Sequence, residues 1–224
     1  MEPVPCERDK GKVKINNMSE VIEILKKTKA LLTNGHFIGT SGMHIDTYVN
    51  KDALYTHPEE TSRVCRLIAE QVEDFKIDAV VGPALGGIVL SQWTAYHLSK
   101  IKQKDILAIY TEKTPEGGQK FTRGYDKLVK SKNILVVEDA PTTGGSAQKV
   151  VDVVRAAGGK VVAVSVMVNK NPKKVTSEFF GVPFLPLAEF EIQSYEEADC
   201  LMCKNGVPIN TTVGHGKKFL ETKK

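Results

Sequence analysis

The stretch from Asn133 to Ser146, NILVVEDAPTTGGS, constrains this chain more than any other, because it dictates a strand, a turn and a helix in sequence. Residues 134–137 are apolar and β-branched at three of four positions, the pattern of a strand buried on both faces, so Glu138 and Asp139 fall at its C-terminal end. Open α/β sheets bind their ligands at that end. Thr142, Thr143, Gly144, Gly145 and Ser146 then lead into a helical stretch over residues 147–157. Glycines permit a tight turn, hydroxyls donate hydrogen bonds, and the free N–H groups of a helix start attract an anion. Acids suited to ribose hydroxyls or a hydrated Mg2+, beside an anion cradle, describe a site for a phosphorylated sugar. The plain alternative is a βα turn with a Ser or Thr cap. The dinucleotide and P-loop patterns do not fit, since there is no GxGxxG and no Lys follows the glycines.

The rest of the chain repeats the same alternation, which predicts an α/β fold with a mostly parallel central sheet flanked by helices. Residues 1–17 read as a flexible leader, and 18–224 as one domain. Ser19 is placed to cap a helix running to about residue 32, stopped by Asn34 and Gly35. A polar, Gly-containing stretch at about 36–55 precedes the sheet as a small hood. Helices are expected at 58–75, 88–99 and 147–157, and strands at 78–81, 106–110, 133–138, 160–168 and 184–187. Residues 111–132, charged and with two adjacent glycines, read as a long mobile loop. The segment after 188 reads as irregular.

At 224 residues the chain can bury a substantial core, and 41% hydrophobic content with mixed charges argues against disorder. The net charge of +4 is mild and owes much to Lys-rich ends, read as solvated tails rather than a nucleic-acid surface. The first residues carry charges and prolines rather than an apolar core, and no run is long enough to span a membrane. A cytoplasmic protein with no nucleic-acid and no membrane partner is expected. Four cysteines are too few and scattered for a disulfide framework, so reduced thiols are expected. Cys200 and Cys203 form a CxxC with His215 a dozen residues on, which leaves a shared zinc open. A second CxxC is missing, and no residue is assigned as a metal ligand.

A second loop, Gly82 to Gly87 (GPALGG), also follows a strand and precedes a helix, with glycines that permit backbone N–H groups to approach an anion. Together the two loops could hold the two ends of a diphosphorylated sugar. With these motifs the chain resembles the type I phosphoribosyltransferases, whose signature binds phosphoribosyl pyrophosphate (PRPP). That resemblance implies PRPP contacts by Glu138, Asp139, Ala140, Thr142, Thr143, Gly144, Gly145 and Ser146. It also implies pyrophosphate contacts by Ala84, Leu85, Gly86 and Gly87, where some members hold a cis peptide. The hood sequence FIGTSGMHIDTYVNK, residues 37–51, is most similar to the orotate phosphoribosyltransferases, which join PRPP and orotate into orotidine 5'-phosphate and pyrophosphate in pyrimidine synthesis.

Carried over residue by residue, that resemblance implies base contacts by Tyr48, Val49, Lys51, Thr142 and Lys170. It implies catalytic roles for Lys113, Arg123 and Asp139, Mg2+ bound mainly through PRPP, and a homodimer. The chain has Gly86 and Thr40 where many orotate enzymes carry Lys, no His in the loop, and Lys170 where an Arg is common. A subset of bacterial members with a GPALGG-type loop and a CxxC near the end is more similar. Because the hood chooses the base, a transferase for a purine or other base stays open, as does a PRPP-sensing regulatory protein without turnover.

Overall fold

The computed structural model describes residues 7–39 and 41–223. The chain opens with α1 (Glu7–Lys27), followed by β1 (Leu31–Leu32), β2 (Phe37–Ile38), β3 (His44–Ile45) and β4 (Tyr48–Val49). Next come α2 (Lys51–Tyr55), α3 (Pro58–Gln71), β5 (Ala79–Pro83), α4 (Gly86–Lys102), β6 (Leu107–Lys113) and β7 (Gln119–Lys120). The second half contains α5 (Tyr125–Val129), β8 (Asn133–Glu138), α6 (Gly145–Ala156), β9 (Lys160–Asn169), α7 (Ser177–Phe180) and β10 (Phe184–Glu189). β11 (Ser194–Tyr195), α8 (Leu201–Lys204) and α9 (Gly216–Glu221) complete it.

Six strands form the central sheet in the order β10-β9-β8-β5-β6-β7. All neighbours run parallel except β7, which turns back antiparallel on β6. The apolar run in β8 explains its central place, because its side chains alternate between two buried faces. Leu135 and Val137 pack with Val80, Leu90, Leu98, Leu67, Ile68, Val21 and Leu25 on the face covered by α1, α3 and α4. Ile134 and Val136 pack with Val150, Val151, Val154 and Phe180 on the face covered by α6 and α7. Sheet polarity therefore collects the ends of β5, β8 and β9 on one rim.

Several expectations give way to tertiary contacts. The helix meant to start at Ser19 begins at Glu7, so residues 7–17 of the expected leader are helical, and residues 1–6 lie outside the described residues. It ends at Lys27, where the Thr28 hydroxyl donates to the Ile24 carbonyl, and Leu31 and Leu32 become a strand paired with β4. The expected loop at 111–132 is instead a β6–β7 hairpin followed by α5. Thr111 is buried and donates to Gln119 Oε1 at 2.8 Å, and Lys149 Nζ donates to the Gly117 carbonyl at 2.7 Å, tying the hairpin tip to α6. The segment after 188 is not wholly irregular either. β11 joins β3 and β2 in a three-stranded antiparallel sheet, so the hood is built from both halves of the chain.

Candidate active site

A cleft of about 610 Å³ opens where the hood faces the ends of β8 and β9. One wall is the signature: Glu138, Asp139, Ala140, Thr142, Thr143, Gly144, Gly145 and Ser146. The other is the hood, with Tyr48, Val49 and Lys51, and Lys170 from the end of β9 also lines the cleft. The cleft thus brings together residues spread over more than a hundred positions of sequence.

Each group is held by identifiable bonds. Val168 N–H donates to the Asp139 carbonyl at 3.0 Å and Lys170 N–H to the Pro141 carbonyl at 3.2 Å, so the signature loop is laced to the end of β9. Buried Asn169 supports this turn from below, donating to Val175 O and Glu189 Oε1 while accepting from Asn171 N. Gly144 has φ +72° and opens α6; a Cβ there would lie 2.7 Å from Phe179 Cε1. Only glycine meets both demands.

Glu138 is buried, and one of its carboxylate oxygens, Oε2, has no hydrogen-bond partner. Burial, reinforced by the adjacent Asp139 charge, pushes its pKa up to about 7. Asp139 is better served: its Oδ1 accepts from the Ala140 N–H at 2.7 Å and its Oδ2 lies 3.3 Å from Lys51 Nζ. Burial lowers the pKa of Lys51, but Asp139 together with Asp52 and Glu138 outweighs it and the net shift is upward. For Lys170 the balance reverses: burial holds its pKa below the usual lysine value despite both carboxylates. Lys170 has no carboxylate within 4.0 Å among the described residues.

The raised Glu138 pKa carries a sign. The folded protein holds this proton more tightly than the unfolded chain, so the stabilisation is present at acid pH and is lost as pH rises through about 7. Glu138→Gln should therefore gain stability relative to the parent by about 2 kcal/mol between pH 5 and pH 8. Urea denaturation at the two pH values checks this; a parallel pH dependence in both proteins would count against a buried, strained carboxylate.

The second loop lies beside the cleft at the end of β5. Ala84 and Leu85 are joined by a cis peptide bond. Ala84 N–H donates to Thr111 O at 2.8 Å, and Leu85 projects into solvent. Gly82 and Gly87 touch backbone to backbone: a Cβ on Gly82 would lie 2.4 Å from Gly87 O. Gly86 sits under the signature, where a Cβ would fall 2.3 Å from Asp139 Oδ2. The two loops are therefore in contact through Gly86 and Asp139, although Ala84 to Gly87 do not line the cleft itself.

Lys113 and Arg123 are not brought to the cleft. Both are exposed on the hairpin and the turn after it, and Arg123 lies 3.5 Å from Glu112. Conversely, the cleft includes residues that the sequence pattern did not single out. Asp52 comes from the hood, Asn171 from the turn after β9, and Ser194 from β11, alongside Ser41 and Asn50 of the hood motif itself. Tyr55 lies behind Gly86 with its hydroxyl buried and unpartnered. Position next to the hood motif could have flagged Asp52, but nothing local announces Ser194. His215 does not join the CxxC cysteines; its backbone N–H donates to Ile38 O.

A mostly parallel sheet with an acid pair and a hydroxyl- and glycine-rich turn at its carboxyl rim is the arrangement of the phosphoribosyltransferase class. Residues 50–183 match the phosphoribosyl transferase domain model, and the chain belongs to that family. Among its relatives it is similar to the orotate phosphoribosyltransferase of Caldanaerobacter subterraneus subsp. tengcongensis, 36% identical over 85% of this chain and 94% of that protein. It is also similar to that of Thermotoga maritima, 36% identical over 88% of this chain and 98% of that protein. Among solved structures, a phosphoribosyltransferase from Corynebacterium diphtheriae superposes with a TM-score of 0.60 at 25% identity, covering 77% of this chain and 96% of the other. Mycobacterium tuberculosis orotate phosphoribosyltransferase shares the fold with a TM-score of 0.62 at 24% identity, over 76% of this chain and 97% of the other.

Proposed function

We propose that this chain is an orotate phosphoribosyltransferase, transferring the 5-phosphoribosyl group of PRPP to orotate to give orotidine 5'-phosphate and pyrophosphate. The observation that carries it is the shared cleft, where the acid pair and hydroxyl loop face Tyr48, Val49, Lys51 and Lys170 across one cavity. Relatives named orotate phosphoribosyltransferase, aligned over most of both chains, support the choice of base. A half-buried Lys170 without a close carboxylate also suits the anionic orotate carboxylate better than a neutral purine.

In this reading Glu138 and Asp139 accept hydrogen bonds from the ribose hydroxyls, and residues 142–146 hold the 5'-phosphate through hydroxyls and backbone N–H groups. The unpartnered Glu138 Oε2 has the bonding capacity this requires. Displacement at ribose C1 builds positive charge on the sugar and negative charge on departing pyrophosphate. Asp139 stabilises the first; backbone N–H groups of Leu85 to Gly87 and the cations Lys113 and Arg123 stabilise the second, the Ala84 N–H being held by Thr111 O. The oxygen-rich acid pair fits a hydrated Mg2+, which when bound with the diphosphate supplies further charge neutralisation. Lys113 and Arg123 reach pyrophosphate either by movement of the hairpin or from a second copy in a homodimer. Among the described residues no helix is long and apolar enough to cross a membrane, in keeping with a cytoplasmic role.

Following pyrophosphate release with PRPP, Mg2+ and a panel of bases tests the assignment. Turnover with orotate alone is expected. Turnover with hypoxanthine but not orotate would replace the acceptor, and PRPP binding without turnover on any base would favour a sensing role. Arg123→Ala should lower turnover, by roughly 10²-fold for a lost transition-state contact, and leave the Michaelis constant for PRPP nearly unchanged. A rise in that constant alone would make Arg123 a plain binding residue.

A further inference from the structure

Away from the cleft, His36, His44, Cys200 and Cys203 converge in the hood, with one ligating atom of each lying within 4.8 Å of all the others. His36, His44 and Cys200 are almost fully buried and Cys203 is half-buried. We propose that these four side chains form a structural site for a tetrahedral divalent cation of the zinc type.

Three of the separations match the edges of a tetrahedral cage. Zn–S bonds of about 2.3 Å and Zn–N bonds of about 2.0 Å require ligand atoms roughly 3.3–3.8 Å apart. Cys200 Sγ lies 3.7 Å from His36 Nε2, Cys203 Sγ 3.8 Å from the same nitrogen, and Cys203 Sγ 3.4 Å from His44 Nδ1. The His36 Nε2 to His44 Nδ1 separation, 2.7 Å, must lengthen to admit the ion, while all four ligand atoms already lie within 4.8 Å of one another. The chemistry of two thiols and two imidazoles selects a borderline-soft ion over Mg2+ or Ca2+.

The surroundings prepare the ligands. His36 Nδ1 lies 2.8 Å from the Val207 carbonyl, an acceptor only, so Nδ1 carries the proton and Nε2 turns its lone pair toward the cluster. His44 is set opposite by the β2–β3 register, which pairs it with Ile38, and by β11, whose Tyr195 pairs with it from the other side. Cys200 and Cys203 flank the single turn that opens α8, which points both sulfurs one way. None of the four lines the cleft, so the site owes nothing to substrate chemistry. Its effect would be mechanical: the cation would staple residues 200–203 to the hood strands more than 150 positions earlier, beside the tail whose Asn210 N–H donates to His36 O.

Purified full-length protein loaded with Zn2+ and then dialysed should hold one zinc per chain by native mass spectrometry. Co2+ in its place should show thiolate-to-cobalt charge transfer and the intense visible bands of tetrahedral cobalt. Chelation should lower the melting temperature by several degrees, reversed by Zn2+. Cys203→Ser and His36→Ala should each lose the bound ion, whereas Cys65→Ser, at a buried cysteine outside the cluster, should keep it. If a variant fails to fold, the cobalt spectrum of the unaltered protein still decides. Failure of the unaltered reduced protein to retain Zn2+, octahedral cobalt spectra, or a Cys200–Cys203 disulfide that forms in the presence of Zn2+ would overturn the proposal.

Discussion

Asp139→Asn should reduce PRPP affinity and turnover together by roughly 10²-fold, the largest single-residue effect expected in the cleft. A hydrogen bond to a charged group contributes about 1.5–3 kcal/mol, and a change of about 1.4 kcal/mol is tenfold. The substitution removes the carboxylate proposed to meet the ribose and also the partner 3.3 Å from Lys51 Nζ. It should lower the Lys170 pKa further, because Asp139 heads the influences that oppose desolvation there. Titration calorimetry with PRPP and steady-state rates check both consequences. Affinity equal to that of the parent would remove Asp139 from ribose recognition.

The glycine pair under the second loop should be as intolerant, for a different reason. Gly87→Ala would place a Cβ 2.6 Å from Pro83 Cδ and 2.7 Å from Gly82 C, where backbone rather than a flexible side chain must move. Overpacking of this kind costs about 1–3 kcal/mol, and here it would also displace the N–H groups proposed to meet pyrophosphate. A lower urea midpoint with loss of activity is expected. Gly86→Ala provides the contrast, since its Cβ would meet the Asp139 carboxylate at 2.3 Å and should impair PRPP binding more than folding. A Gly87→Ala protein with parental midpoint and turnover would mean that the loop has more room than its backbone contacts indicate.

The elements that were legible in the sequence are those whose cause is local. The β8 run of Ile134 to Val137, its acids and the Gly144–Gly145 turn carry their own periodicity and turn chemistry, and β8 and α6 occur within a residue or two of expectation. The same holds for β5 and β9, α4 and β6 run three residues past their expected ends, and the resemblance to the phosphoribosyltransferases was equally local. Elements decided by distant contacts were less legible. Residues 111–132 look like a loop by charge and glycine content, yet the Thr111–Gln119 bond and the hold of Lys149 on Gly117 order them as a hairpin. Leu31 and Leu32 look like the end of a helix until β4 offers them a strand partner.

By itself the amino-acid sequence determined the donor side of this protein. A strand ending in Glu138 and Asp139 and a hydroxyl-rich turn are local instructions that act within a few residues, and they point to PRPP. The tertiary structure alone decided what meets across space: Ser194 in the hood-side wall of the cleft, Gly86 against Asp139, Lys113 and Arg123 outside the cleft, and His36 and His44 rather than His215 beside the cysteine pair. The reason is physical. Turn and periodicity signals travel a few residues along the chain, whereas His36 and Cys200 are 164 positions apart and are brought together only by the pairing of β3 with β11 and the packing that follows it.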